Sequence, residues 1–287
     1  MVAIELESVA AVESLKCAVP ADGRAHAFPV EEMVATEEPL EVRLVHGDHV
    51  ESVSVTMRTP TDDTALAVGF LFTEGILSAP EEVERIVSHR AEGEHIVDVI
   101  TRRPVRFDPD LRRAFFVNSS CGVCGRSLVK GLYASRGGPV RSDLTVEAAR
   151  LLEMPRRLRG SQPLFDRTGG LHAAALFDRD ATLLEVAEDV GRHNAVDKVI
   201  GRRFLAGRLP DARSVLQVSG RVSFEIVQKA GTAGIPIVSA VSAPSSLAVG
   251  AADRLGLTLA GFVRDDHFNL YTHPERILGG GVGFGSP

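Results

Sequence analysis

The chain has 287 residues, of which 44% are hydrophobic, so it can bury a sizeable core, and at about 100 to 200 residues per domain we expect two domains. The formal net charge of −6 and the interspersed basic residues exclude a protein that holds nucleic acid along a basic stripe, so an anionic ligand needs a local site. The first residues lack the basic and apolar regions of a signal peptide, and no run approaches about 18 apolar residues. We therefore expect a soluble, cytoplasmic protein that binds neither nucleic acid nor a membrane.

The first half of the chain predicts an α+β lobe, residues 1–140, with a largely antiparallel sheet. Residues 1–37 are mixed in composition and are interpreted as a loosely held lead-in. The segments that follow have strand or helix patterns. They are a β-hairpin (39–47 and 51–60) around Gly47 and Asp48, a helix (61–77) with an Asp N-cap and Gly69 as its weak point, and two more strands (85–90 and 95–103).

A second domain, residues 141–287, is predicted to follow a linker rich in glycine, proline and charge at 135–143. After a helix at 146–159, short apolar strands alternate with helices. This alternation predicts an α/β domain with a mainly parallel sheet that helices cover on both faces. The predicted strands are 171–178, 181–189, 214–220, 235–243 and 257–263, and the predicted helices are 194–207, 223–231 and 245–256.

Two of the three cysteines form a CxxC motif in the stretch NSSCGVCGRS, between a strand end and a helix start. A zinc site needs about four ligands, so Cys121 and Cys124 would have to recruit His172, His193, Cys17 or a second subunit's pair. A helix start and the nearby Arg126 would instead lower the pKa of a thiol and make it reactive. From the residues alone, both a metal site and a reactive thiol remain open.

Three loops of the second domain follow predicted strands, at 219–223, 242–246 and 263–269. The carboxyl ends of strands are where an open α/β sheet binds ligands, and the first two loops run into helix N-termini, which favour anions. A phosphate-bearing ligand beside Gly220 and Arg221 is therefore predicted. The alternative is that the serines, glycines and prolines only cap helices and form turns.

A second dense group of polar residues is EDVGRHNAVDK, at 188–198, where a strand meets a helix. His193 is the candidate site residue of this group, although a solvated, capped helix start explains much of the pattern. His172 begins an apolar strand, where a lone histidine is more often a core residue than a catalyst.

Several motifs, taken in order, resemble the FdhD family of sulfur-carrier accessory proteins required for formate dehydrogenase activity. They are SSCGVCGRS, GGLHAAALF, EDVGRHNAVDK, SGRVSFEIVQKA and GIPIVSAVSAPSSLAV, and the resemblance runs from about Pro39 to the C-terminus. It implies a homodimer with a cytidine-deaminase-like second domain. The family's activity is that of a sulfurtransferase, which takes sulfur from a cysteine desulfurase and passes it to the molybdenum cofactor, bis-molybdopterin guanine dinucleotide, before insertion into formate dehydrogenase.

The resemblance also assigns site residues. It implies that Cys121 carries the persulfide, with Cys124 as its neighbour, and that a guanine nucleotide is a fragment ligand. The dinucleotide is expected at 262–267, alongside the residues that the strand-end loops and the 188–198 segment contribute. The full set of expected cofactor contacts is Phe262, Val263, Arg264, Asp265, Asp266, His267, Gly220, Arg221 and His193.

One departure from the family pattern follows Arg264, where a glycine is expected and two carboxylates, Asp265 and Asp266, stand instead. Two rival functions use the same motifs differently. One is a non-catalytic cofactor chaperone whose CxxC closes a structural zinc site across a dimer, and the other is a dithiol oxidoreductase. Zinc analysis of the purified protein separates the chaperone from the sulfur carrier.

Overall fold

The computed structural model describes residues 7–21, 23–91, 93–105 and 138–279. The cysteine motif at 121–124 lies outside these ranges, as do residues 135–137 of the predicted linker. Within them, the strands form a four-stranded and a six-stranded sheet together with two small two-stranded sheets. The predicted mixed α/β class is confirmed. No helix in these ranges is long and apolar enough to span a bilayer.

The N-terminal four-stranded sheet has the strand order β4-β3-β6-β5. Its elements, with the helix α1 that covers it, are β3 (Glu38–His46), β4 (His49–Arg58), α1 (Asp63–Thr73), β5 (Val83–Ala91) and β6 (Glu94–Thr101). A turn at Gly47, which has a φ of 57°, joins β3 to β4. The pairs β3–β4 and β5–β6 are antiparallel and β3–β6 is parallel, so the predicted hairpin, helix and largely antiparallel sheet are confirmed.

The expectation of a loosely held lead-in at residues 1–37 is wrong for its two described strands. Two strands, β1 (Val9–Ala18) and β2 (His26–Ala35), pair along their whole lengths as an antiparallel ribbon. Both faces of the ribbon are largely exposed, and only its base packs, in a small apolar cluster with Leu164 and Leu171. Because neither face is buried, the sequence lacks the alternation of apolar and polar residues that normally marks a strand.

The C-terminal part is a six-stranded sheet in the order β13-β12-β11-β10-β8-β9. Its strands are β8 (His172–Phe177), β9 (Leu183–Asp189), β10 (Val215–Val218), β11 (Ile237–Ala240), β12 (Thr258–Gly261) and β13 (Asn269–Thr272). The helices are α2 (Ala148–Arg159), α3 (Pro163–Thr168), α4 (Arg192–Leu205), α5 (Phe224–Thr232) and α6 (Ser246–Leu255). The short strands β7 (Val146–Glu147) and β14 (Ile277–Leu278) pair with each other.

This sheet is less parallel than the sequence pattern predicts. The central strands β10, β11 and β12 are parallel, whereas the pairs β8–β9, β8–β10 and β12–β13 are antiparallel. The reason is the connection between β8 and β9, a tight turn in which Asp178 N–H donates to Thr182 O at 3.0 Å. A turn of this length can join only antiparallel strands, since a parallel pair needs a long crossover.

The two halves of the chain share one apolar core. Leu40 and Val99 of the four-stranded sheet belong to the same buried cluster as Leu216 and Leu259 of the six-stranded sheet. Helices α1 and α4 cross at this junction. The predicted division at residue 140 remains a prediction. The packing between the two halves holds the four-stranded sheet, through α1, against α4, the helix whose first turn lies at the candidate site.

Candidate functional site

The three predicted strand-end loops meet along one edge of the six-stranded sheet. Val222 and Pro244 form a parallel bridge, and Ser245 N–H donates to Val222 O at 3.0 Å. Phe262 N–H donates to Ser242 O at 3.2 Å. Backbone hydrogen bonds therefore join the loops after β10, β11 and β12 into one continuous rim, as the sequence predicts for the ends of neighbouring parallel strands.

The amino-terminal end of α4 reaches the same edge of the sheet. Strand β8 runs antiparallel to β10, and its first residue, His172, pairs with Asp189 at the end of β9. Helix α4 starts three residues later, at Arg192. The polar segment 188–198 thus lies beside the rim. Some of its side chains are buried and stabilise the fold, whereas others turn towards the rim.

Asp189 and Lys198 form a fully buried ion pair, with Lys198 Nζ 2.6 Å from the carboxylate. The ammonium also donates to Thr59 O, Thr61 Oγ1 and Glu188 O, which satisfies its hydrogen-bonding capacity. Burial lowers the pKa of Lys198, against the opposing effect of Asp189. The pair ties α4 to the segment after β4, which is a structural role.

Asp197 and Glu188 are structural as well. Asp197 accepts hydrogen bonds from Lys229 Nζ and Thr73 Oγ1, both at 2.9 Å, and these contacts join α4 to α5 and α1. The Glu188 carboxylate accepts the backbone N–H groups of Leu164 and Phe165 at the start of α3. Burial raises the pKa of both Asp197 and Glu188. These residues are therefore structural, but they are buried, and the interpretation as a solvated, capped helix start is wrong for them.

His193 is the residue of this segment that turns towards the rim. Its Nε2 is 3.0 Å from Ser223 Oγ and 3.8 Å from the Glu225 carboxylate, on the first turn of α5. The imidazole is 18% exposed. Burial, reinforced by the positive charges of Lys229 and Arg192, lowers the pKa of His193 to about 4, so the ring is neutral at physiological pH.

His172 lies on the other side of the loop after β10. A Cβ added at Gly220 would be 3.3 Å from His172 Nδ1, so the glycine lets the loop pass close to the ring. Burial and the charge of Arg192 lower the pKa of His172. Arg192 Nε is itself buried without a hydrogen-bond partner among the described residues. Near Gly220, the rim thus carries two neutral imidazoles beside the Arg192 guanidinium.

The 262–267 loop presents most of its predicted ligand residues to solvent. Arg264, Asp265, Asp266 and His267 are exposed, and Phe262 is half-buried with a φ of 53°. The His267 ring lies 2.6 Å from Asp266 and lowers the pKa of that carboxyl.

Two predicted contacts at the rim differ in what they can offer a ligand. Val263 has a fully buried side chain that packs in a core cluster, so only its backbone could meet a ligand. Arg221 is exposed on the neighbouring loop. The structure brings the loops together, and the ligand assignment of their residues stays a prediction.

The structure describes one of the three cysteines, Cys17. Cys121 and Cys124 lie outside the described ranges, so their predicted roles remain predictions. Cys17 is exposed on β1. Within the part of the chain that the structure describes, no three His, Cys, Asp or Glu side chains are grouped so that they could hold a metal ion.

A family model described as the FdhD/NarQ family matches residues 35–278. The chain belongs to this family. Among FdhD/NarQ relatives, one from Thermoplasma volcanium is 47% identical over 253 residues, which cover 86% of this chain and 90% of the relative. One from Mycolicibacterium paratuberculosis is 49% identical over 263 residues, which cover 89% and 94%. Both are named sulfur carrier protein FdhD.

The fold of this FdhD/NarQ chain also matches a solved structure. A Desulfotalea psychrophila protein described as a formate dehydrogenase accessory protein superposes with a TM-score of 0.71 at 27% identity. The match covers 93% of this chain and 99% of the other. The family resemblance stated from the motifs is therefore confirmed.

Three residues at the rim escape sequence reasoning. Ser223 has the position and type of an ordinary helix N-cap, and Glu225 those of an ordinary acidic first-turn residue. Arg192 looks like a solvated helix-start charge. Their roles depend on contacts with His193 and His172, which are distant in sequence from Ser223 and Glu225, so no local pattern indicates them.

Proposed function

We propose that this chain is a sulfur carrier that accepts persulfide sulfur from a cysteine desulfurase on Cys121 and passes it to bis-molybdopterin guanine dinucleotide before insertion into formate dehydrogenase. The observation that carries the proposal is the family match over 35–278, which includes the CxxC motif. Relatives aligned over about nine-tenths of their lengths are named sulfur carriers, which supports it further.

The first chemical step is thiol exchange. The Cys121 thiolate attacks the outer sulfur of the desulfurase persulfide, a new S–S bond forms, and the desulfurase cysteine leaves as a thiolate. The protein then holds a persulfide with no net gain or loss of electrons. Delivery of the outer sulfur as sulfide consumes two electrons, which a thiol reductant supplies in vitro. The activity is therefore a sulfurtransferase relay.

The second substrate is the molybdenum cofactor, for which we propose the rim of the six-stranded sheet. Helix α5 and helix α6 both begin there, and their free N–H groups suit the pyrophosphate. Arg221 and Arg264 are exposed cations on two adjacent loops, and Phe262 offers a stacking face for guanine. Asp265 and Asp266 are exposed beside them, so the phosphates belong on the opposite side of Arg264.

The partners follow from the two transfers. A cysteine desulfurase must dock where Cys121 is accessible, and the catalytic subunit of formate dehydrogenase must receive the loaded cofactor. We propose that the working form is a cytoplasmic homodimer, as the family resemblance implies.

Replacing the carrier thiol tests this function directly. Cys121→Ala should abolish maturation of formate dehydrogenase in a strain that lacks its own copy of the protein, because it removes the thiol proposed to hold the persulfide. Cys124→Ala should have a milder effect, and Cys17→Ala, on the exposed ribbon, is the matched control. Enzyme activity and protein abundance are measured together.

Restoration of the dehydrogenase by Cys121→Ala would contradict the proposal. Equal destabilisation by Cys121→Ala and Cys124→Ala would instead favour the structural zinc site, since each substitution would remove one ligand and with it folding energy.

A further inference from the structure

Two serines at equivalent positions of neighbouring helices use their hydroxyls differently. Ser245 precedes α6 and accepts the N–H of Ala248 at 3.2 Å, which is the usual N-cap bond. Ser223 precedes α5 but makes no cap bond to its own helix. Its hydroxyl lies 3.0 Å from His193 Nε2 instead. Ser223 therefore gives up a capping bond for a contact with the histidine.

The direction of the bond at Ser223 follows from the charge beside it. The Glu225 carboxylate lies 3.8 Å from His193 Nε2, the nitrogen that also meets the Ser223 hydroxyl, and its negative charge favours a proton on that nitrogen. The hydroxyl oxygen then accepts from His193, so the imidazole proton is on Nε2. His193 Nδ1 is left with its lone pair and has no hydrogen-bond partner among the described residues.

We infer that Ser223 and Glu225 fix His193 as the Nε2-protonated tautomer, so that Nδ1 faces the rim as a hydrogen-bond acceptor for an N–H edge of the bound cofactor. This inference rests on the proposed function for the identity of the ligand. It assigns Ser223 and Glu225 as positioning residues and His193 as a specificity-determining contact.

The surroundings keep the ring in the acceptor state. The charged and titratable groups that face His193 are Glu225 and Lys229 on α5, Arg192 on its own helix and His172 on β8. Two of these are permanent cations, and the ring is largely buried, so protonation is unfavourable. An imidazole with a free lone pair repels phosphate oxygens and attracts donors.

The chemistry therefore selects one class of group at this position. The dinucleotide pyrophosphate carries no donor at neutral pH, whereas the pyrimidinone ring shared by guanine and pterin presents N–H groups on one edge. Arg192, whose Nε lacks a partner among the described residues, can serve the carbonyl oxygen of the same ring.

The tautomer can be observed without any ligand. Long-range ¹H–¹⁵N correlation spectra report which imidazole nitrogen carries the proton, and His193→Gln assigns the His193 signals among the nine histidines. We expect the Nε2-protonated form in the native protein and a mixture of tautomers in Ser223→Ala. Ser245→Ala, the matched serine of α6, should leave these signals unchanged. An Nδ1-protonated ring in the native protein would overturn the inference.

The acceptor role is tested with guanosine diphosphate, a pterin and inorganic pyrophosphate in calorimetric titrations. Glutamine places its amide nitrogen near Nε2, so His193→Gln keeps a donor to Ser223 and removes the Nδ1 acceptor, whereas His193→Asn places an oxygen near Nδ1. We expect His193→Gln to weaken one of the two heterocycles about 2- to 12-fold and His193→Asn to weaken it less. The affected probe identifies whether guanine or pterin occupies the position.

Other results of these titrations would contradict either the acceptor role of His193 or the proposed cofactor site. Equal losses for pyrophosphate and the heterocycle, or no loss in His193→Gln, would overturn the acceptor role while leaving the sulfur-carrier proposal intact. Failure of both heterocycles to bind the native protein would contradict the cofactor site of the proposed function and the ligand class assigned here together.

Discussion

Burial separates the polar residues of the segment 188–198 into those that stabilise the fold and those that can reach the candidate site. Lys198 and Asp197 are fully enclosed and hydrogen-bonded to their partners, so they cannot meet a ligand. His193 lies one turn of α4 before Asp197 and Lys198 but faces the start of α5. The His193 imidazole and the Arg192 guanidinium beside it are thus the groups of this segment that we propose for the site.

The depressed pKa of His193 predicts a contribution to the pH dependence of stability. The folded protein holds this ring neutral down to about pH 4, whereas the unfolded chain protonates it near its ordinary value of 6.5. The contribution is therefore fully present above about pH 6.5 and is lost as the pH falls towards 4. Denaturant unfolding from pH 7 to pH 4 should show a smaller loss of stability in His193→Gln than in the native protein, by ~1–3 kcal/mol.

The control for this experiment is His49→Gln, because His49 is 77% exposed and far less enclosed than His193. Its stability curve should parallel that of the native protein across the same range. Parallel curves for His193→Gln as well would mean that the ring is not held neutral by the fold.

Sequence reasoning succeeds at residues whose role is local. His193 and Gly220 stand out from the chain because of their residue type and position, and the structure brings them to one rim. Ser223 and Glu225 do not stand out, since their proposed role depends on His193, which lies 30 residues before Ser223 in the chain. A side chain that acts through a hydrogen bond to a residue distant in the chain produces no periodic pattern in the sequence by which it could be recognised.

At the scale of elements, α1 and α4 come into close contact where each of the two helices carries a glycine. A Cβ at Gly69 would lie 1.9 Å from Asp197 O, and one at Gly201 would lie 1.9 Å from Ala65 O. The two glycines let the helix backbones touch. Gly69, which looks like the weak point of a helix, is thus required by the packing of another helix against it.

Adding one methyl group at this crossing should separate the helices. Gly69→Ala is expected to destabilise the protein by more than ~3 kcal/mol, because the clash is with backbone and cannot be relieved by a rotamer change. Gly250→Ala on α6 is the matched control, since nothing lies within 4 Å of a Cβ there. It should be neutral or stabilising by up to ~1 kcal/mol, from helix propensity. Thermal and denaturant unfolding measure both.

Equal stabilities of the Gly69→Ala and Gly250→Ala proteins would show that the helices are not in backbone contact. The prediction also bears on the site, because α4 carries His193 at its start. A variant that folds with a displaced α4 should change the His193 imidazole signals.

Elements with one buried face are predicted well and those without are not. The hairpin β3–β4 and the helices of the second half have clear periodicities, and the structure contains them. The ribbon β1–β2 is exposed on both faces, so its sequence gives no alternation. The antiparallel pairing of β8 with β9 is not predicted by the sequence, because apolar content indicates burial and does not indicate strand direction.

At the scale of the whole molecule, the proposed function requires the sheet edge and the cysteine motif to act on one cofactor. The family match spans both, from residue 35 to residue 278. The shared core between the two sheets holds the rim in a fixed relation to the four-stranded sheet. Under the proposed function, a fixed rim suits cofactor binding, since only the sulfur has to move.

The central claim is that Cys121 holds the transferred sulfur, and mass spectrometry tests it most directly. After incubation with a cysteine desulfurase and cysteine, the intact protein should gain one sulfur atom, and dithiothreitol should remove it. Fragmentation should place the added mass on Cys121 within the tryptic peptide 114–126, and Cys121→Ala should stay unmodified while Cys17→Ala is still loaded. Sulfur located on Cys17, or a Cys121→Ala protein that still gains it, would contradict the account.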